Sequence, residues 1–299
     1  MRRPRRRYNA AMRRGAIDPS ALDPADLAPG DARRAAVNWT GLSLQSVSAD
    51  DAAAFDETFA FLAAEFAPSG GMEQADVLRR RLAWRLDRAE RELRMWYELV
   101  VVRDAGGRVV AAGDHSVIVT DRARERGSPV VAHLSHLLVN RAWRGRGIGA
   151  WLRALPLRAA RACLRELGRD HANVAVAAEV EHAVADDPAS FKRLQSFEAA
   201  GFRKVDSTAV DYMQPDFRPA TEIEATGVRP VPYALLLRRV GREAEGEMEG
   251  RELREIVRSL YAMFADAMPA EHMAPLWRRL DAYPLDDQSV RLVAPTAGP

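Results

Sequence analysis

Leu137-Leu138-Val139-Asn140-Arg141-Ala142-Trp143-Arg144-Gly145-Arg146-Gly147-Ile148-Gly149-Ala150 joins an apolar, strand-like run to a helical pattern through alternating glycines. Three glycines in five positions are more than a simple helix cap needs. Without Cβ atoms, the backbone N–H groups can turn toward one point and a ligand can approach them closely. The helix that follows adds roughly half a positive charge at its start. A phosphate or pyrophosphate suits such a turn.

Upstream, Leu99 to Val102, the turn Asp104-Ala105-Gly106-Gly107 and Val109 to Val119 read as strand, tight turn and strand. A polar loop at Thr120–Ser128 and a further strand at about Val130–Val139 lead into the glycine turn. Downstream, Ile148, Leu152, Leu155, Ala159, Cys163 and Leu167 share one face of a helix over 147–167. Pro156 is expected to kink it. Cys163 on that face reads as a small core residue. A strand at Ala172–Glu181, a helix at Asp187–Ala200, a strand at Phe202–Met213 and a last strand at Tyr233–Val240 follow. Before all these, Leu42 to Val47 suggests a strand. Phe55, Phe59, Leu62 and Phe66 suggest a helix capped by Ser48 or Asp50. Leu78, Leu82, Leu86, Ala89 and Leu93 suggest a second helix with its arginines toward solvent.

Gly145-x-Gly147-x-x-Ala150 formally satisfies the dinucleotide fingerprint, and Asp170 lies twenty residues beyond Ala150. That fingerprint belongs to repeating parallel βαβ units with the acid at the end of the second strand. Here antiparallel hairpins come first and Asp170 precedes its strand. No Gly-Lys-Ser/Thr is present, so a Walker-type loop also fails.

The stretch closely resembles the GNAT superfamily of N-acetyltransferases. Its acyl-CoA signature, Arg/Gln-x-x-Gly-x-Gly/Ala, is matched by Arg144-Gly145-Arg146-Gly147-Ile148-Gly149, with Leu137-Leu138-Val139 and Trp143 in register. Phe197-Glu198-Ala199-Ala200-Gly201-Phe202 resembles a second family element. The resemblance covers about residues 41–241. It implies an α/β (α+β) fold with a central mixed, mostly antiparallel sheet flanked by helices. Acetyl-CoA is the implied cosubstrate, with no metal. Backbone groups of Leu137, Leu138 and Val139 would bond the pantetheine arm, and Gly145 to Ala150 would cradle the pyrophosphate.

Direct transfer of acetyl to a primary amine needs a group to take the amine proton. His133 lies eleven residues before Arg144, where some family members carry a basic glutamate. Glu179, in Ala-Glu-Val, looks like the position where others place a base, and Glu181 shares its expected face. His136 reads as a hydrogen-bonded strand residue. The family often has Tyr at the position of Phe197, protonating the departing thiolate, and Phe cannot donate. The companion Asn position is Ser190. Tyr212 and Tyr233 receive no role.

The chain has 299 residues, with 47% hydrophobic and 29% charged, and a formal charge of +2. This excludes a whole-chain polycation. No apolar run is long enough for a membrane helix. One cysteine excludes an intrachain disulfide and fits a cytoplasmic location. Residues 1–14 hold seven arginines and no acid. Residues 1–40 read as an Arg-rich flexible arm and linker, 41–241 as the GNAT-like domain and 242–299 as a C-terminal helical extension. Deleting 1–38 would then leave the fold intact. The acceptor, a small-molecule or peptide amine, is open, as is a homodimer. Two further functions stand beside the enzyme: an inactive CoA-binding regulatory or interaction module, and an RNA-associated protein using Arg2 to Arg14.

Overall fold

The computed structural model describes residues 14–84, 86, 93–120, 130–169, 172–182 and 187–298. The chain enters the sheet at β1 (Gly15–Ile17), passes through the helical turn α1 (Pro29–Ala32) and returns as β2 (Leu42–Ser46). Two helices follow, α2 (Ala52–Phe66) and α3 (Ala75–Arg81), then the long meander β3 (Leu93–Asp104), β4 (Val109–Thr120) and β5 (Val130–Val139). Asp51 caps α2 through the Ala54 N–H. The expected second helix is cut short, because Leu93 already pairs with Thr120 in the meander. Its arginines do not all face water. Arg81 is buried against Glu73 in a two-pronged ion pair.

From β5 the glycine turn leads into α4 (Ile148–Leu167), which crosses to β6 (Val174–Val180). Pro156 is accommodated within α4, which runs unbroken past it. Then come α5 (Pro188–Ala199), β7 (Arg203–Val205), β8 (Met213–Gln214), α6 (Ala220–Thr226), β9 (Val231–Pro232) and β10 (Ala234–Arg239). The long strand expected over 202–213 stops at Val205, because Asp206 folds the chain into a turn by accepting from the N–H and hydroxyl of Thr208. The polar loop expected at 120–128 lies almost wholly outside the described residues.

Among the described residues, ten strands form one sheet in the order β1-β2-β3-β4-β5-β6-β10-β7-β12-β11, where β11 is Glu247–Glu249 and β12 is Ser289–Val293. Among these strands only β5 and β6 run parallel, joined by the α4 crossover that such a pair requires. The architecture is therefore a mixed, mostly antiparallel sheet flanked by helices. Alternation assigns the faces. Val130, Ala132, Leu134, Val174, Val176 and Ala178 pack with α4 and α5 residues. On the opposite face, Val131, Ala175, Ala177, Leu235 and Leu237 pack with α7 (Gly250–Phe264) and α8 (Ala270–Asp281). Further along that face, Tyr97, Leu99 and Val101 meet α2 and α3.

Residues 14–40 are not a flexible linker. Ile17 and Leu22 are buried with Ile148, Leu152 and Leu155 of α4. Leu27 is buried against Ala150 and Ala154. Asp26 pairs with Arg161, and Asp31 grips Arg153 through two bonds of 2.9 and 2.6 Å. Arg14 donates to the carbonyls of Leu82 and Tyr97. The arginines before it lie outside the described residues. The C-terminal segment is likewise more than an appended helix: α7 buries Leu253, Ile256, Val257 and Leu260 on the sheet, and β12 pairs with β7.

Candidate active site

β5 and β6 are paired from Val130–Val174 to Leu134–Ala178, and there the ladder ends. β5 runs on to Val139, held only by β4 through Leu137–Gly113, Leu138–Ala112 and Val139–Ala111. The two parallel strands thus fork, and the β6-side edge of Leu137, Leu138 and Val139 has no strand partner among the described residues. The fork begins at a bulge: Asp114 faces His136 while His115 faces Leu134, so Ser135 is the extra residue.

At the open end of β5 sits the glycine turn. Gly145 and Gly147 have φ of 77° and 81°, which only glycine adopts cheaply. Gly147 precedes α4 with no side-chain cap, so the Ile148 and Gly149 N–H groups lack a capping side chain, while Ala150 N–H donates to the Gly147 carbonyl at 3.1 Å. Arg144 reaches back to the Val139 carbonyl at 3.0 Å, and Arg146 lies 4.7 Å over the Trp143 ring. Arg141, Arg144 and Arg146 are exposed, and none has an acidic partner among the described residues. The side of Gly147 where a Cβ would project faces the N-terminal segment, 2.6 Å from the Arg34 carbonyl. Trp151 ties that segment down by donating to the Ala35 carbonyl at 2.9 Å. The turn and the first turn of α4 therefore offer uncapped amides and unpaired cations, a set suited to a phosphate-bearing ligand.

At the closed end, the structure brings together the two residues singled out as bases. Glu179 lies one residue beyond the last β5–β6 pair, and its carboxylate meets His133 Nε2 at 3.1 Å. Their side chains are only 2% and 3% exposed. Tyr212 donates its hydroxyl to Glu179 Oε1, and Gln214 donates to Oε2 at 3.4 Å. Burial, followed by the neighbouring Glu179 charge, pushes the Tyr212 hydroxyl well above the usual phenol range, so it remains a donor. With two donors already on the carboxylate, His133 Nε2 is the third. Its Nδ1 is then free to accept, and Ser135 Oγ lies 3.1 Å away. Phe264 of α7 meets the His133 ring edge to face at 5.7 Å, and Tyr261 stacks on Tyr212.

Glu181 is not part of this group, since it pairs with Arg193 on the surface. Phe197 packs against Phe202 at 5.1 Å, and Ser190 is occupied at the start of α5, bonded to Asp187. Neither is placed as a proton donor. Sequence reasoning missed Ser135, Gln214 and the role of Tyr212. Among the described residues no group of His, Cys, Asp and Glu is arranged to hold a metal ion. No helix there is long and apolar enough to cross a membrane.

His136 forms a second buried pair on the same face. Its Nδ1–H donates to Asp114 Oδ1 at 2.7 Å and its Nε2–H to the Gly71 carbonyl at 2.9 Å, while Tyr97 donates to Asp114 Oδ2. Burial opposes a charged His136, but Asp114 and the Gly71 carbonyl outweigh it and raise its pKa. Burial also opposes the Asp114 charge, yet His136 and Tyr97 outweigh it and lower that pKa. The His136 contribution to stability is full below the ordinary imidazole range and fades as pH rises through its raised pKa. The Asp114 contribution is full above the ordinary carboxylate range and fades as pH falls through its lowered pKa. Thermal melts should show this pair contributing most between about pH 4 and 6.5. The alkaline decline should shrink in His136→Gln; an unchanged decline would remove this pair from the explanation.

A forked parallel pair, a glycine turn without a side-chain cap and a buried His–Glu couple define the candidate site of this α/β protein. No family model matches the chain, and no curated protein does. Among solved structures, it is similar to a fungal multi-domain β-N-acetylglucosaminidase described as having a glucosamine N-acetyltransferase region, with 18% identity over 81% of this chain and 24% of that one, TM-score 0.38. It is also similar to a tandem GNAT protein of the clavulanic acid pathway, with 24% identity over 58% and 46%, TM-score 0.36. A third is a GNAT-family acetyltransferase from Staphylococcus aureus, with 13% identity over 67% and 99%, TM-score 0.37. The chain spans about a quarter and about half of the first two.

Proposed function

We propose that the chain is an acyl-CoA-dependent N-acyltransferase of GNAT type, transferring acetyl from acetyl-CoA to a primary amine of a small molecule or peptide. The observation that carries this reading is the fork. Its unpartnered β5 edge runs from the His133–Glu179 couple to the glycine turn, so one extended ligand can lie along it. In this reading Leu137, Leu138 and Val139 bond the amide-bearing arm as an added strand would. Gly145 to Ala150 receive the pyrophosphate, and Arg141, Arg144 and Arg146 supply unpaired positive charge. Acetyl-CoA supplies the activated acyl group. Glu179 fixes the His133 ring through Nε2, and Nδ1 takes the proton released when the amine becomes an amide.

Gly149→Asp tests the cradle. Gly149 has no positive φ, and a Cβ there meets Arg153 Nη1 at 3.6 Å and Val139 Cγ2 at 3.7 Å, which are ordinary contacts. An acid in the first helical turn is favourable by about 0.3–1 kcal/mol. The variant should melt no lower than wild type yet lose the stabilisation that acetyl-CoA gives. Retention of the full acetyl-CoA shift would refute the cradle. Gly147→Asp is the poorer test, since its side chain would strike the Arg34 carbonyl and Val37.

Phe197 favours a second reading, a CoA-binding regulatory module without turnover, because the ring cannot protonate a departing thiolate. Binding of acetyl-CoA without free CoA release, across a panel of amines, would establish it.

A further inference from the structure

Ser135 is half-buried where β5 leaves β6, whereas the side chains of His133 and Glu179 are sealed beneath Phe264, Tyr212 and Gln214. The bulge places it there as an extra residue in the β5 ladder. Three donors hold Glu179 as the acceptor, so His133 Nε2 carries the proton and Nδ1 accepts from the Ser135 hydroxyl at 3.1 Å. A hydroxyl bonded to an imidazole that is oriented by a carboxylate is the arrangement that activates a serine, recognised by geometry and roles rather than by position in the chain.

We propose that Ser135 is a nucleophile activated by His133 and Glu179, and that the transferred acyl group rests on its oxygen between donor and acceptor. This rests on the acyltransferase reading above and replaces single-step transfer with two half-reactions. In the first, Ser135 Oγ bonds to the thioester carbonyl carbon and its proton passes to His133 Nδ1. The carbon–sulfur bond breaks, and the thiolate takes that proton from His133 and leaves as the free thiol. In the second, the amine nitrogen bonds to the ester carbon and gives a proton to His133 Nδ1. The carbon–oxygen bond breaks, and Ser135 Oγ recovers the proton. The sum is thioester plus amine to amide plus thiol, with no further reactant. His133 thereby supplies the proton for the thiolate, which Phe197 cannot.

The test uses the full chain with two acetyl donors, acetyl-CoA and p-nitrophenyl acetate, each without amine, followed by acid quench and peptide mass analysis. Both donors should leave one acetyl group on the Ser135 peptide, labile to alkaline hydroxylamine. Ser135→Ala and His133→Ala should abolish it, and Ser135→Thr should restore part of it. With an amine present, Ser135→Ala should slow free CoA release at least about tenfold. If neither donor acetylates Ser135, or if Ser135→Ala releases CoA at the wild-type rate, the proposal is overturned. If p-nitrophenyl acetate acetylates Ser135 and acetyl-CoA neither binds nor turns over, the nucleophile stands and the acyl-CoA reading falls.

Discussion

A chain that begins at Trp39 is expected to aggregate or to melt far below the full protein, against the expectation that residues 1–38 are dispensable. Deletion removes the pairing of Gly15–Ile17 with Leu44–Ser46 and withdraws Ile17, Leu22 and Leu27 from the core. Fully burying such a side chain is worth about 1.5–3 kcal/mol, so three amount to roughly 4.5–9 kcal/mol, an upper figure set by an extended unfolded chain. A domain's entire stability is about 5–15 kcal/mol. The deletion also strips the partners of Arg238, which is buried and donates to the carbonyls of Asp26 and Leu27. Its guanidinium would remain near the core with Glu243 alone. Leu22→Ala provides a graded control and should cost about 2–5 kcal/mol. A truncated chain with the wild-type melting temperature would show that this packing contributes nothing.

The N-terminal strap was hard to read because its burial follows neither a strand period nor a helix period. Ile17, Leu22, Leu27 and Ala28 are delivered through two single 3-10 turns, each opened by an Asp-Pro pair. Asp18 caps the first by accepting from Ser20 N–H, and Asp23 caps the second by accepting from Ala25 N–H. Only tertiary contact with α4 reveals which apolar residues matter. At the other end of the chain, α8 carries Pro275 in its interior, and β12 is a short strand with alternate exposure that gains its identity from β7. Arg81 read as a solvent residue because its partner, Glu73, lies eight positions away, outside any helical neighbour rule.

The glycine turn was legible because its peculiarity is local: positive φ at Gly145 and Gly147 is a backbone demand that glycine answers directly. The fork was only half legible. Strand patterns located β5 and β6, but nothing in the sequence marks where pairing stops or that Ser135 is a bulge. His133 and Glu179 were each found separately, through the family resemblance. Their contact across 46 residues, and the donors Tyr212 and Gln214 that fix it, are products of the sheet order and of the α7 cover.

That contact makes Glu179→Gln and His133→Ala changes to one unit. In Glu179→Gln, the amide oxygen keeps the Tyr212 hydroxyl and the amide nitrogen takes the place of Oε2. The new N–H then faces His133 Nε2, which must accept, so the ring proton moves to Nδ1. Nδ1 now presents a donor where the reaction needs an acceptor. A geometry-preserving change that leaves the wrong tautomer can be as damaging as removing the ring. The amide nitrogen also opposes the Gln214 N–H. The maximum rate should therefore fall at least about tenfold, and toward a hundredfold or more if proton transfer limits turnover. Acetyl-CoA affinity, read from the thermal shift, should be unchanged, because the glycine turn lies at the far end of the fork. His133→Ala should be comparable, and the double variant no worse than either, since residues acting as a unit are not additive. Initial rates from pH 6 to 9, with free CoA release as readout, decide the matter. Additive losses would mean that the two side chains work independently, and wild-type rates in Glu179→Gln would move proton transfer away from this couple altogether.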